Sequence, residues 1–247
     1  MDKNGAIDWL KSIGYWSLFE EHFIEASSSS SRTAATALNY NLNQQFEPET
    51  RTICDIIETY ESPSVLEIGT NWGITAVFMQ KAARKAGGSM QCVDTVNQVV
   101  EGNGLSDLEV VTTNEFIKLV NKTLKEVEWD FYEKGSDAFF EELRKNQSPQ
   151  RYDVIFVDGD HSYVQSIKDI ENSIEFLSEN GVIFLHDLKQ RTQGLPEHRN
   201  VLRAYKEIDP SKFVKFRTSK TANRLGMIYR NGDSPPEAVE RIINRVL

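Results

Sequence analysis

The 247-residue chain reads as an α/β protein. It predicts a mostly parallel sheet with helices on both faces, an antiparallel C-terminal strand and an N-terminal helical extension. Two observations carry that reading. The first is the stretch Tyr152–Asp187. It runs Tyr-Asp-Val-Ile-Phe-Val-Asp-Gly-Asp-His-Ser-Tyr, then a segment of helical spacing, then Gly-Val-Ile-Phe-Leu-His-Asp. Val154–Val157 and Val182–Leu185 are short apolar runs bounded by turn residues, as buried parallel strands are. Val164, Ile167, Ile170, Ile174 and Leu177 lie on one helical stripe between them. The second observation is that this strand–helix alternation begins earlier, near Val65.

Taken in order, residues 1–50 predict a helical extension, because Ile7, Leu10, Ile13, Trp16, Phe19 and Phe23 recur every three or four residues. That stripe suits core packing or a homo-oligomer contact. Ser27–Ser31 is low-complexity and reads as a loop. The main domain is expected over 51–247. Helical character returns at Glu49–Tyr60 and stops at Ser62-Pro63-Ser64. Val65–Ile68 reads as a strand, Ile74–Lys85 as a helix stopped by Gly87-Gly88, and Met90–Val93 as a strand closed by Asp94. Asn114–Lys125 reads as a helix, Val127–Tyr132 as a third strand, and Ala138–Lys145 as a helix after Gly135-Ser136-Asp137. Beyond the central unit, Arg199–Ile208 reads as a helix. Phe213–Arg217 and Gly226–Arg230 read as two closing strands.

Composition narrows the function. Hydrophobic residues make up 39% and aromatic residues 10%, enough for a real core. The net charge of −9 argues against general nucleic-acid binding. Neither a leader peptide nor a membrane-length apolar run is visible, so a cytoplasmic protein is expected. Cys54 and Cys92 fit neither a disulfide framework nor a Cys-x-x-Cys metal site. Charge is uneven, however: Leu188–Arg224 holds ten Lys/Arg against three Asp/Glu. Arg191, Arg199 and Arg203 are candidates for gripping an anionic group; a solvated surface is the equal alternative.

The chemistry lies at the strand ends. Asp158 and Asp187 follow two strands of one βαβ unit, at the edge where open α/β sheets bind ligands. Adjacent strands lie ~4.8 Å apart, so the two carboxylates can share one cation. Ser162 and Gln165 form a capping-box pattern, which frees Asp158 from that duty. Upstream, Glu67-Ile-Gly69-Thr-Asn71-Trp-Gly73 follows a strand and opens a helix. The dinucleotide fingerprint fails, with Asn71 and Ile74 where its second and third glycines belong. What remains is Glu-x-Gly-x-x-x-Gly, with Asp94 closing the next strand. An acid there suits a ribose.

Val-Leu-Glu-Ile-Gly-Thr-Asn-Trp-Gly resembles motif I of class I S-adenosylmethionine-dependent methyltransferases. Asp-Val-Ile-Phe-Val-Asp-Gly-Asp-His-Ser-Tyr is similar to a metal-dependent subgroup of small-molecule O-methyltransferases. That subgroup includes macrocin and mycinamicin sugar O-methyltransferases and cephalosporin-hydroxylase-like proteins. The likeness covers roughly Pro63–Arg230. It implies a Rossmann-like methyltransferase sheet and S-adenosylmethionine as cofactor. It implies that Glu67, Gly69, Asn71 and Gly73 build the methionine side, Asp94 holds the ribose, and Ser136 and Asp137 edge the adenine. It also implies that Asp158 and Asp187 bind a divalent metal and that His161 is the catalytic base. Hard carboxylates without a histidine cluster favour Mg²⁺, or Mn²⁺. The expected reaction is O-methylation of a hydroxylated small molecule. Two readings stay open: a protein of this fold with other chemistry, and a metal-independent N- or C-methyltransferase.

Overall fold

A computed structural model describes residues 2–27, 49–95, 113–146, 149–188, 198–217 and 225–233, together with 239 and 241. Seven strands form one sheet: β1 Ser64–Ile68, β2 Ser89–Asp94, β3 Asp130–Glu133, β4 Tyr152–Val157, β5 Leu177–Leu185, β6 Phe213–Arg217 and β7 Gly226–Arg230. Their spatial order is β3-β2-β1-β4-β5-β7-β6. The first five are parallel; β7 runs antiparallel between β5 and β6. The order reverses between β1 and β4, so the loops after those two strands flank a crevice at the carboxyl edge. The predicted α/β sheet with an antiparallel C-terminal strand is therefore the observed one.

Helices cover both faces: α1 Lys3–Ser12, α2 Tyr15–Ser27, α3 Arg51–Ile57, α4 Ile74–Lys85, α5 Thr113–Thr123, α6 Ser136–Lys145, α7 Tyr163–Phe176 and α8 His198–Glu207. Two buried clusters result, one on each face of the sheet. The N-terminal stripe is spent inside the chain. Ala6, Leu10, Tyr15, Trp16 and Phe19 are buried in the same cluster as Val65 and Phe156. The Tyr15 hydroxyl donates to the Trp72 carbonyl at 2.7 Å, and Phe19 meets Trp72 edge-on with centroids 5.6 Å apart. The first helices thus buttress the loop after β1. Phe23's side chain and Ser28–Ser31 lie outside the described residues.

Three local expectations shift. The third strand starts at Asp130, because Lys125–Val127 is a 3₁₀ turn that seats Val127 in the core. β5 starts at Leu177, which leaves the helical stripe. Leu177 is already extended, and Arg230 on β7 satisfies the end of α7, donating to the Ile174 and Leu177 carbonyls at 2.6 and 3.2 Å. Val164 is 64% exposed, so the buried face of α7 is rotated from the predicted stripe. That face carries Ser166, Asp169, Ile170, Ser173 and Phe176.

Candidate functional site

The loop after β1 turns sharply. Gly69, Asn71 and Gly73 have φ of +89°, +46° and +75°, a region glycine and asparagine tolerate best. The turn is pinned from β2: the Thr70 and Asn71 amides donate to Asp94 Oδ2 at 2.8 and 2.7 Å. One oxygen of the predicted ribose acid therefore shapes the loop. Gly69 is required for a second reason. A Cβ there would stand 2.2 Å from the Asp158 carbonyl oxygen. The loops after β1 and β4 touch, so the glycine permits chain against chain. Gly69→Ala should cost ~2–5 kcal/mol, combining a strained φ with overpacking. A urea midpoint unchanged from the wild type would refute this.

Glu67 is buried on β1, and the Cys92 thiol donates to its Oε2 at 3.4 Å. Burial pushes its carboxyl up to about 8, from an ordinary 4.5. The folded chain therefore holds this proton where the unfolded chain releases it. The associated stability is complete below pH 4.5 and is lost as pH rises through 8. Glu67→Gln carries no such proton. The stability of wild type minus that of Glu67→Gln should fall by several kcal/mol, on the order of 1.4 per pH unit, between pH 5 and 8. Urea titrations across that range measure it, and a flat difference would contradict the assignment.

At the start of α6, Ser136 donates to Asp169 Oδ1 at 2.6 Å. Gln165 Nε2 reaches Ser136, Asp137 and the same Asp169 oxygen at 3.1, 3.2 and 2.9 Å. Lys168 pairs with Asp137 at 2.7 Å and holds that carboxyl below its usual range. Asp169 was not anticipated, and Gln165 was expected only as the capping-box partner of Ser162; its side chain turns here instead, and Asp160 takes the Ser162 amide. Their signal is positional: Asp169 precedes Ile170 on α7, and Gln165 lies one turn before it.

The third group sits beyond β4 and β5. These strands pair Val157 with Leu185, and the His186 amide continues the ladder to the Val157 carbonyl at 3.0 Å. That register brings Asp158, His186 and Asp187 together. Ser162 caps α7, accepting from the Gln165 amide at 3.3 Å. Asp160 accepts from the Ser162 amide at 2.7 Å, so Asp160 belongs to the turn. The turn aims His161 back at the strand ends: its Nε2 lies 3.1 Å from Asp187 Oδ2 and 3.7 Å from Asp158 Oδ1. Asp158, His161 and Asp187 bring one ligand atom each within 4.8 Å of one another. Asp187 holds φ +56°, the kind of strain that recurs at functional positions.

His186 and Glu49 complete the cluster. His186 Nε2 lies 3.0 Å from Glu49 Oε2, and its Nδ1 lies 3.0 Å from Asp158 Oδ1 and 3.4 Å from Asp187 Oδ2. Burial works against the Asp158 carboxylate, but His186 and His161 outweigh it and hold it below its usual range. Asp158 and Asp187 raise His161 to about 10. Burial also opposes charge on His186, and the facing Asp158 overcomes it and holds the imidazole well above its usual range. Without another cation, these acids keep protons on both imidazoles.

One cavity of about 870 Å³ joins the three groups, within the usual size of ligand sites. It is lined by Glu67, Gly69, Asn71, Asp94, Ser136, Asp137, Asp158, His161 and Asp187. Of the predicted site residues, Gly73 is not in its wall; Gly73 caps α4, and a Cβ there would stand 2.5 Å from the Ile117 side chain. Thr70, Asp169, His186 and Asn200 also line it. The predicted anion-gripping arginines fare differently. Arg203 lies over the Tyr163 ring at 4.0 Å and bonds Glu207 at 3.2 Å, outside the cavity wall. Arg191 and the side chain of Arg199 lie outside the described residues.

A family model described as a methyltransferase domain matches residues 66–188, a span holding the loop after β1, Asp94, the start of α6 and the Asp158–Asp187 cluster. No curated protein sequence matches the chain. Among solved structures, an O-methyltransferase from Bacillus cereus in complex with SAH is 13% identical. The likeness covers 87% of this chain and 97% of that one, at a TM-score of 0.53. The O-methyltransferase TomG from Streptomyces achromogenes, in complex with SAM, is 9% identical over 89% of each chain, with a TM-score of 0.56. SAH-bound methyltransferase PaMTH1 from Podospora anserina is 14% identical over 89% of this chain and 87% of its own, with a TM-score of 0.55. At such identities the likeness is one of fold.

Proposed function

We propose that this chain, which belongs to the class I S-adenosylmethionine-dependent methyltransferases, methylates a hydroxyl of a small molecule at a site that also takes a divalent cation. The observation that carries the reading is the convergence of Asp158, Asp187 and His161 in the same cavity as the glycine loop. The donors fit both groups. The cavity has room for a nucleoside cofactor, and two carboxylates converge there beside two imidazoles. S-adenosylmethionine supplies a methyl group on a sulfonium, ready for in-line attack. Asp158 and Asp187 would hold a divalent cation, which would supply the positive charge that acidifies an acceptor hydroxyl.

The chain's residues do the rest. Gly69 and Asn71 let the backbone border the methionine part, Asp94 receives the ribose, and Ser136 and Asp137 edge the adenine. Asp187 orients His161 by holding its Nε2–H, and the imidazole takes the hydroxyl proton on its other ring nitrogen. The O-directed reading also draws on the Bacillus and Streptomyces structures, both of O-methyltransferases. Cofactor binding is tested by thermal shift. S-adenosylmethionine or its demethylated product at 100 times its dissociation constant adds ~2.7 kcal/mol, or roughly 5–10 °C for a domain of this size. Asp94→Ala should remove most of that shift. A melting temperature unmoved by either compound would overturn the cofactor assignment. Hydroxyl transfer itself is tested with a panel of phenols, sugars and glycosylated metabolites.

A further inference from the structure

We infer that His186 adds a nitrogen donor to the cation site at Asp158 and Asp187, and that Glu49 is the positioning residue that aims it. The inference rests on the proposed cation role of those two aspartates. His186 and Glu49 side chains are only 6% and 2% exposed. Nε2 is occupied by Glu49 at 3.0 Å. Phe156 meets the imidazole edge-on, with centroids 6.0 Å apart, which fixes the ring plane. Nδ1 is therefore held toward Asp158 and Asp187, 3.0 and 3.4 Å away. It is buried and makes no hydrogen bond to either.

A buried ion pair between Glu49 and His186 would account for Nε2 alone. It leaves Nδ1 buried between two acids and without an aligned hydrogen bond to either. A shared cation satisfies all three groups. Imidazole ligands in proteins are characteristically held this way: one nitrogen is bonded to a carboxylate, which fixes the tautomer and turns the other toward the metal. The donor set is then two carboxylates and an imidazole. That set discriminates against Mg²⁺, which prefers oxygen ligands, and favours Mn²⁺ and Co²⁺. Glu49 stands 137 residues before His186, so the segment ahead of α3 becomes part of the metal machinery.

The test uses the full chain, stripped with EDTA and reloaded with Mn²⁺. Pulsed electron paramagnetic resonance of the bound ion reads ¹⁴N coupling directly. The coupling should appear in the wild type, persist in His161→Ala and vanish in His186→Asn. Glu49→Ala should weaken Mn²⁺ binding ~10–100-fold, the usual effect of losing an outer partner. Glu49→Gln should restore most of it, because its amide oxygen still accepts from Nε2. The thermal shift with S-adenosylhomocysteine shows whether each variant is folded. Mn²⁺ that binds the wild type through Asp158 without ¹⁴N coupling would overturn the inference and leave the cation reading standing. Coupling lost in His161→Ala but kept in His186→Asn would also overturn it, as would full affinity in Glu49→Ala. Failure of Mn²⁺, Co²⁺ and Mg²⁺ alike to bind would remove the cation reading itself.

Discussion

His161→Ala should cut methyl transfer by roughly 10²–10⁴-fold, the usual worth of a general base. The geometry limits what else the substitution can do. His161 stands in the turn before α7, and its ring is partly exposed in the cavity. Its removal opens no core, and the Ser162 cap of α7 is untouched. The loss should therefore fall on kcat, with the cofactor thermal shift preserved. A purely structural histidine would behave in the opposite way, lowering stability and leaving kcat per folded molecule intact. Two measurements separate these outcomes: kcat at saturating acceptor, and the melting temperature with S-adenosylhomocysteine. Equal kcat in the variant and the wild type would end the assignment of His161 as the base.

His161 was legible because its partners are local. Asp158 precedes it by three residues, and Asp187 follows the next strand of the same βαβ unit. A strand that stops at Val157 and a helix that starts at Tyr163 leave only a short turn to aim both side chains. The glycine loop and Asp94 were legible for the same reason, being consecutive strand ends on a parallel sheet. The reason for Gly69 was not. A glycine at a strand–helix turn suggests close approach of a ligand, whereas here the approaching group is the Asp158 backbone. Only the adjacency of β1 and β4 reveals that.

Glu49 was out of reach. No periodicity or motif links it to His186, and its burial goes with the packing of α3 against α4. His186 was visible as a neighbour of Asp187, but its meaning depends on which group holds its far nitrogen. The preference for Mg²⁺ followed from the acids alone, because the imidazoles meet them only in three dimensions. Asp169 was obscured by the rotated face of α7. The stripe was drawn through exposed Val164, and the buried face instead carries a carboxylate toward Ser136.

Asp158→Asn and Asp187→Asn should each abolish cation-dependent turnover while leaving cofactor binding in place. The two substitutions are close to isosteric, and asparagine accepts the left-handed φ of +56° that Asp187 holds. What they remove is charge. Each carboxylate faces His161 and His186, so each substitution removes a proposed direct ligand as well as an imidazole's partner. Cation affinity should fall by more than the ~10–100-fold that losing an outer partner costs. Asp94 and the loop after β1 are untouched, so the thermal shift with S-adenosylmethionine should survive in both variants. In the wild type, EDTA should silence transfer, and Mn²⁺ should restore it at lower concentration than Mg²⁺. Neither metal should rescue Asp187→Asn at concentrations that saturate the wild type. Full methyl transfer by an EDTA-treated, metal-free sample would sink this mechanism. Asp158 and Asp187 would then remain as the counter-charges of two buried imidazolium groups, in a methyltransferase that works without a cation.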